Sequence, residues 1–474
     1  DGASNTHVWL PQHSAYVPAL EAIETVNIVT NSMDAEQGLA GGASVSVTIK
    51  SGTNAFHGTG WEHHTNSRMK AKNVFFTAPK IPKNIQNQFG GNLGGPIVRN
   101  KLFFFGNHER TRRRQNFSRF VTIPTADQRA GDFRAYGITV YDPLTGNPNG
   151  TGRTAFNNAV IPADRQSRVA RQVIALIPAP TNSFLTANYF SSAPLVFDRD
   201  TTDAKINWNK SDRFSIFGRY SFLDFSTISA QTLGPAGGGP IQPGGQPGNG
   251  YGRTTSLTVA VTYIFTPRFL VDANFGFARQ TPTVTSFDYG QNVGLEVLKI
   301  PGTNGPNVFQ SGAPGFEVSG YEPYGTPGSS NPFFWRDNQF QYNANANWTR
   351  GSHNLRWGVD ISRQHMNHRQ AEFTSSLGPR GGFQFTGGTT ALSGGPSPTQ
   401  FHGFASFVLG LPSRIGKSLQ PELPFSTRNW GQGYYIRDQW QATRNLTVTM
   451  GLRYEYYPIP TRADRGLERY DVNT

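Results

Sequence analysis

Hydrophobic residues recur at every second position in pairs of segments that are joined by very short turns. In one pair the apolar positions are Leu257, Val259, Val261, Tyr263 and Phe265, followed after Thr266-Pro267-Arg268 by Phe269, Val271, Ala273, Phe275 and Phe277. The positions between them are mostly polar, so each segment has one apolar face and one polar face. This pattern predicts a β-hairpin, and it returns around the turns at 209–213, 349–354 and 442–445.

Short and long connections between these segments alternate along the chain. The long ones, at roughly 115–199, 226–252, 281–333 and 371–427, are rich in Gly, Pro, Asn and Ser. Loops of this length are uncommon in compact soluble domains. A transmembrane barrel has short periplasmic turns, long extracellular loops and apolar outward positions. The sequence therefore predicts an all-β fold, a transmembrane antiparallel β-barrel.

Eleven strands are predicted from the alternation and its turns. They are 55–64, 86–97, 101–112, 200–209, 213–225, 253–265, 269–280, 335–348, 355–369, 428–441 and 446–457. Because an odd number leaves the last strand unpaired and a free edge in lipid is not viable, we expect an incomplete barrel. The apolar segment 402–411 would break the alternation of loop lengths, so we interpret it as a short element packed in the last long loop.

Composition excludes several other classes of protein. The chain has no cysteine, which removes disulfide scaffolds and thiolate zinc sites. It also has no apolar run of about 18 residues, so a membrane-spanning helix is excluded. The net charge is +13, but most basic residues are isolated arginines without a nucleic-acid-binding motif, so no nucleic-acid partner is predicted. The N-terminus has no signal-peptide pattern and begins as if in mid-domain.

Motifs for other chemistry are weak. The segment 410–418 resembles a phosphate-binding loop but has one residue too many between its glycines, and it contains Pro412. The pairs His63/His64 and His365/His368 fall on opposite faces of a strand, so we interpret them as histidines near exposed loops rather than metal ligands. No nucleophile elbow or zinc-protease motif occurs. We therefore predict no catalytic residue, no metal site and no cofactor.

Several segments, in their order and spacing, resemble TonB-dependent outer-membrane transporters. Residues 18–56, with Asp34-Ala35-Glu36-Gln37-Gly38 and the strand at 43–50, resemble the second half of the plug domain of that family. Phe56-His57-Gly58, 87–98 and 101–105 resemble its Oar-like branch, and Gly451-Leu452-Arg453-Tyr454-Glu455 resembles a barrel-strand motif common across the family.

The resemblance implies a domain organisation and a function. Residues 1–53 would be the C-terminal part of a plug domain, and 54–474 the N-terminal half of a barrel of about 22 strands. The energy-coupling box and the first half of the plug are missing from this sequence. The parent protein would be an outer-membrane receptor that moves a large nutrient using energy from the inner-membrane TonB complex. The identity of the nutrient is not predicted.

Two sets of site residues follow from these expectations. By the resemblance, a plug loop would carry candidate ligand contacts, with a purely structural loop as the alternative: Asn5, His7, Trp9, Gln12 and His13. An arginine cluster lies where the third strand would leave the membrane, and it would contact lipopolysaccharide phosphates or form a solvated rim: Arg110, Arg112, Arg113 and Arg114.

Two other functions stay open at this point. A passive porin or adhesin barrel would share the strand pattern but does not account for the plug-like segment. A secreted all-β carbohydrate-active enzyme would be soluble without detergent, but the sequence offers no pair of carboxylates on a recognisable motif.

Overall fold

The computed structural model describes residues 1–10, 13–30, 34–38, 43–72, 74–75, 81–242, 245–327, 331–370, 377–418 and 424–464. Nineteen strands occur in this part of the chain. They are β1 (Ile23–Val29), β2 (Ser44–Ile49), β3 (His57–Asn66), β4 (Asn84–Val98), β5 (Leu102–Val121), β6 (Tyr189–Ser211), β7 (Phe214–Ser229), β8 (Gly248–Thr266), β9 (Phe269–Gln280), β10 (Thr283–Thr285), β11 (Gly315–Val318), β12 (Phe333–Trp335), β13 (Asp337–Arg350), β14 (His353–Gln370), β15 (Gly382–Phe385), β16 (Arg414–Gly416), β17 (Phe425–Thr443), β18 (Leu446–Tyr456) and β19 (Thr461–Arg462).

Helices are short and lie between the strands. Three are α-helices, namely α1 (Ala126–Arg129), α2 (Arg168–Ile174) and α3 (Gln400–Leu409). Single turns of 3₁₀-helix occur at Leu20–Ala22, Ser67–Met69, Arg134–Tyr136, Asn157–Ala159, Ala163–Arg165, Gly234–Ala236, Val308–Gln310 and Gly387–Thr389, and one π-turn at Val293–Val297. No helix of the described residues has the length and apolar character needed to cross a bilayer.

One large antiparallel sheet contains all eleven predicted strands. Its path runs β3-β4-β5-β6-β7-β8-β9-β13-β14-β17-β18, so consecutive long strands are neighbours. The predicted antiparallel membrane-barrel fold is confirmed. Two strands are much longer than predicted: β5 and β6 stay paired up to the register Val121↔Tyr189. Their outer halves do not alternate between apolar and polar residues: 113–121 of β5 is rich in Arg, Gln and Asn, and 189–199 of β6 contains Pro194 followed by a continuous apolar run at 195–197. Hydrophobic alternation therefore does not predict them.

The two faces of this sheet differ as the sequence predicts. One face, here called the outer face, carries exposed apolar side chains such as Ile206, Trp208 and Tyr263. Aromatic residues concentrate near the short turns, which is typical of membrane-interface girdles. The other face, the inner face, carries polar groups that include Arg219 and Asn345, and the N-terminal segment lies against it.

The long loops fold together into a cap with its own hydrophobic core. Parts of 122–188, 230–242, 286–327 and 377–418 contribute to it, and β11, β15 and β16 form a small sheet within it. At its centre is α3, whose Phe404 and Phe407 are fully buried. The interpretation of 402–411 as a packed element of the last loop is confirmed.

The helix α3 also explains the segment that resembles a phosphate-binding loop. Gly410 ends the helix with a φ of +72°, a left-handed conformation that glycine adopts at low cost. The short strand β16 follows it. The segment is therefore a helix C-cap and a turn, and not a loop that precedes a helix.

Candidate functional site

The N-terminal segment, residues 1–53, contacts the inner face through a small apolar core and several polar contacts. Ala19, Ala22 and Ile49 pack with Phe105 of β5. The Lys205 ammonium group of β6 donates to the Ile49 carbonyl oxygen at 2.8 Å. In β2 only the end is buried, since Val45 is 59% exposed. The alternation at 43–50 therefore produces a half-buried strand only near Ile49.

A buried polar network fixes the middle of this segment to the sheet. The Tyr16 hydroxyl group donates to Asp203 Oδ1 at 2.7 Å, and Ser221 Oγ donates to the same oxygen at 2.7 Å. Asn107 Nδ2 donates to Asp203 Oδ2 at 3.4 Å. Burial, reinforced by the neighbouring Asp203 carboxylate, raises the pKa of Tyr16 well above its usual value. Tyr16 therefore remains a neutral hydrogen-bond donor.

The predicted ligand loop is partly structural. Asn5 is bonded through its side-chain amide to both backbone groups of Tyr16. His7 is buried, and its Nδ1 atom accepts from the backbone N–H groups of Trp9 and Leu10 at 3.1 and 3.0 Å. Burial lowers the pKa of His7, more than the nearby Asp337 raises it, so the ring stays neutral. These two residues hold the loop together.

The other candidates in the loop are placed differently. Trp9 is 45% exposed and packs edge-on against His368 at 5.6 Å between ring centroids. His13 is exposed, and its carbonyl oxygen accepts from His7 at 2.9 Å. Gln12 lies outside the described residues. Asn5 is exposed as well, but its side-chain amide is already bonded to Tyr16, so Trp9 and His13 are the exposed candidates that do not use their side chains in this way.

The sequence did not predict the side chains of the sheet against which this loop packs. Trp335 stacks on His368 at 4.6 Å and meets His7 edge-on at 5.4 Å. His368 Nε2 and Asp337 Oδ2 are 2.9 Å apart, and both side chains are buried. The reading of His368 as a histidine near an exposed loop is wrong, because the N-terminal loop covers it. His365 lies on the opposite face, as expected for residues three apart on a strand.

A second contact region joins residues 34–38 to arginines of the sheet. Arg356 Nε donates to Glu36 Oε2 at 2.5 Å and Arg356 Nη1 donates to Asp272 at 3.3 Å. Arg437 forms an ion pair with Asp34. Arg453 donates to Asp360 at 2.8 Å and, at 3.4 Å, to the carbonyl oxygens of Ala35 and Glu36.

This second contact region brings together two of the motifs that resemble the TonB-dependent family. The acidic side chains of Asp34-Ala35-Glu36-Gln37-Gly38 find their cations on β14 and β17, and the arginine of Gly451-Leu452-Arg453 holds the backbone of the same segment. A side chain at Gly38 would collide with Arg453, since its Cβ atom would lie 2.2 Å from the Arg453 guanidinium group. Sequence reasoning identified both motifs but not that they meet.

The predicted arginine cluster is divided between the two faces of β5. Arg110, Arg112 and Arg114 lie on the outer face and pair with acids of β6: Arg112 with Asp200 at 2.5 Å, and Arg114 with Asp198 at 2.6 Å. The ion pair from Arg110 to Asp200 is longer, at 3.8 Å. Arg113 lies on the inner face, over the ring of Phe197. The four guanidinium groups therefore do not form one site, because neighbours on a strand alternate.

No group of three or more His, Asp or Glu residues in the described ranges converges as a metal site would. His63 and His64 alternate between faces, and His64 Nδ1 is 2.6 Å from Asn87 Oδ1. The geometry is that of a structural and binding surface between an N-terminal segment and a sheet.

Comparisons with known proteins match this architecture. A family model described as "Outer membrane beta barrel domain" matches residues 48–474. TonB-dependent transporter Oar of Myxococcus xanthus is 23% identical over an alignment that covers 92% of this chain and 40% of the relative. The chain thus spans less than half the length of this relative.

Similar solved structures include the ferric enterobactin receptor PfeA of Pseudomonas aeruginosa, with 13% identity and a TM-score of 0.46, covering 96% of this chain and 47% of that one. The outer membrane transporter YddB of Escherichia coli has 11% identity and a TM-score of 0.47, covering 96% and 46%. The siderophore receptor PirA of Acinetobacter baumannii has 12% identity and a TM-score of 0.45, covering 92% and 44%.

Proposed function

The chain belongs to the outer membrane β-barrel domain family, and from that premise we propose that its parent protein is a TonB-dependent outer-membrane receptor. It moves a large nutrient across the outer membrane with energy from the inner-membrane TonB complex. Residues 1–53 are the C-terminal part of its plug domain, and residues 54–474 are the N-terminal half of its barrel.

The observation that carries this proposal is the docked N-terminal segment. It rests on the inner face of a membrane sheet through hydrogen bonds and ion pairs, chiefly at Tyr16 and at residues 34–38. Contacts of this kind hold a segment in place while leaving it separable from the wall. The similarity to TonB-dependent transporter Oar, which extends over most of the chain, supports the same assignment.

The plug loop supplies the ligand contacts in this proposal. Trp9 and His13 offer an exposed indole ring and an exposed imidazole ring. The exposed Asn5 and the buried His7 hold the loop together through their side chains. Gln12, between these residues, belongs to the same candidate set.

Energised uptake tests the transport function. Cells with and without the parent gene are offered a ferric siderophore, cobalamin, an oligosaccharide and a peptide, each with and without a protonophore. We expect at least one probe to accumulate only when the gene is present and the membrane is energised. Gene-dependent uptake that the protonophore leaves unchanged would favour the passive porin. Absence of any gene-dependent uptake would contradict transport and favour the adhesin.

A covalent tether tests whether the N-terminal segment has to move. The Ala35 Cβ atom lies 2.8 Å from the position that a Cβ atom at Gly451 would occupy, and these 474 residues contain no cysteine. A disulfide between Ala35→Cys and Gly451→Cys requires the two atoms to separate by about 1 Å. We expect this double variant to lose energised uptake and to recover it with a reductant. Each single variant serves as a control.

Lipopolysaccharide is the proposed lipid partner of the outer face. Arg110, Arg112 and Arg114 face the lipid side and can reach its phosphates, whereas Arg113 faces inward. Their charge is largely compensated by Asp198 and Asp200, so their contribution to such binding is small.

The secreted carbohydrate-active enzyme is wrong for this chain, because the matched family is an outer-membrane barrel family. The sequence relative named above, Oar of Myxococcus xanthus, is a transporter. We therefore propose no catalytic role.

A further inference from the structure

Four arginines lie close together on the outer face, just above the apolar belt, on the part of the sheet formed by β9, β13, β14 and β17. They are Arg279, Arg336, Arg363 and Arg428, here called the basic row. Strand register aligns Arg279, Asn338, His365 and Arg428 side by side. Adjacent strands are about 4.8 Å apart, so this line spans about 14 Å.

Below the basic row the same strands are apolar. Arg363 is level with Phe340, and the next outward positions along β14 are Ile361, Val359 and Trp357. The row therefore lies at the boundary between hydrocarbon and headgroups, on the side of the long loops. At this height a cation meets the phosphates of the membrane lipid rather than bulk water.

The basic row differs from the β5 cluster in its counter-charges. None of its guanidinium groups forms an ion pair with a carboxylate of the described residues, whereas Arg112 and Arg114 each do. The nearest acids on these strands, Asp272, Asp337 and Asp360, point to the inner face. Glu372 and Glu422 lie outside the described residues.

Partners of the basic row are neutral acceptors and leave donors available. Arg279 Nη1 donates to Asn338 at 3.4 Å, and Arg363 Nε donates to His365 Nε2 at 3.1 Å. The Arg363 guanidinium group also lies 4.4 Å from the centre of the Trp430 ring, which holds it flat against the sheet. Because a guanidinium group has five N–H donors, most of those on Arg279 and Arg363 remain unused.

We propose that the basic row binds the phosphate groups of a phosphorylated glycolipid, the lipid A part of lipopolysaccharide, and is the main lipid-headgroup site of this surface. Arginine matches phosphate because two parallel N–H groups can meet two phosphate oxygens. Attraction to guanidinium groups that have no carboxylate partner among the described residues offsets the cost of desolvating the phosphates, whereas Arg112 and Arg114 of the β5 cluster are already paired with Asp200 and Asp198. The inference depends on the outer-membrane location and not on the transport function.

Binding of lipid A to the detergent-solubilised parent protein, which contains the whole barrel, tests the site. The triple variant Arg279→Gln/Arg363→Gln/Arg428→Gln removes three charges from the basic row. The triple variant Arg110→Gln/Arg112→Gln/Arg114→Gln removes the same number from the paired cluster and is the matched control. We expect the first to weaken lipid A binding at least about tenfold and the second to weaken it less than about threefold. The reverse order, or equal losses, would overturn the proposal.

The lipid probe itself carries a second test. Lipid A without phosphates should bind at least about tenfold more weakly than the bisphosphorylated form, and added salt should remove that difference. Displacement of lipid A by inorganic phosphate at millimolar concentration would overturn the assignment to a lipid. The variant Trp430→Leu keeps every charge but removes the support of Arg363, and a loss of about threefold is expected.

Heat-dependent gel mobility keeps failure of the fold separate from failure of the site. A variant of the parent protein that runs like the unchanged parent protein before and after boiling, yet loses lipid A binding, has lost the site alone. If the triple variant of the basic row unfolds, the variant Trp430→Leu is the test that remains. Unchanged lipid A binding by Trp430→Leu would contradict the proposed site, in which Trp430 supports Arg363. Uptake measurements play no part in this test, so a failure of the transport proposal does not affect its outcome.

Discussion

The hydroxyl group of Tyr16 is the smallest change that should loosen the N-terminal segment from the sheet. It donates to Asp203 at 2.7 Å, and both side chains are buried. Tyr16→Phe removes this one group and leaves the ring in its packing position. The Asp203 carboxylate then loses one of its three hydrogen-bond donors and keeps the other two, Ser221 and Asn107.

The expected cost follows from the kind of bond that is lost. Hydrogen bonds to charged groups contribute about 1.5–3 kcal/mol, and the two remaining donors place this one in the lower half of that range. A loss of about 1.5–2 kcal/mol raises the equilibrium constant for local opening by about 10- to 30-fold. The large sheet is held by its own backbone ladders, so its stability should be unchanged.

Hydrogen exchange on peptides that cover residues 5–16 measures this opening. The backbone N–H groups of His7, Ala15 and Tyr16 are all bonded within the loop, so each reports its release. Tyr342→Phe is the matched control, because that side chain lies on the outer face and is 46% exposed. Acceleration below about threefold in Tyr16→Phe, or equal acceleration in the control, would refute the role given to the network.

Two further changes test other contacts. Arg356→Gln leaves Glu36 and Asp272 without their shared cation, so hydrogen exchange at residues 34–38 should become about 5- to 30-fold faster, which corresponds to a cost of about 1–2 kcal/mol. Glu36→Gln should have a smaller effect, because Arg356 keeps its contact with Asp272. Equal effects of the two variants would contradict this expectation. In the cap, burial lowers the pKa of His402 below 6.5, so the unfolded cap binds the proton more readily and the cap loses stability as pH falls through that value. Exchange of α3, corrected for intrinsic rates, should therefore be faster at about pH 5.5 than at about pH 7.5, and His402→Gln should remove the difference.

The sheet was predictable because its physics is local. Alternation at Leu257–Phe265 and Phe269–Phe277 specifies both strands, their turn and the face that meets lipid. The outer halves of β5 and β6 were missed because no apolar face is needed above the bilayer. Ion pairs between the two strands, such as Arg114 with Asp198, stabilise their pairing there. In the sequence these charged residues are typical of a solvent-exposed loop.

The cap and the site were less predictable because they depend on contacts between distant parts of the chain. Glycine-rich and proline-rich composition indicates loops correctly, but it does not reveal that Phe316 of one loop forms a core with Phe385 and Phe407 of another. In the same way, Asp203 reads as a polar position on an inward face. Only the fold shows that Tyr16, 187 residues earlier in the chain, supplies its donor.

The two contact regions of the N-terminal segment differ in ways that set the order of its release. The bond from Tyr16 to Asp203 is buried, so water and salt reach it poorly. The ion pairs of Asp34 and Glu36 are partly exposed, with side-chain exposures of 25% and 35%, and exposed pairs are weak and screened by salt. A disturbance of the segment should therefore open residues 34–38 first, while the loop that carries Trp9 and His13 stays docked. The candidate ligand contacts thus lie on the more firmly held part of the segment, so a bound ligand would meet a preformed loop even after the arginine contacts have begun to separate.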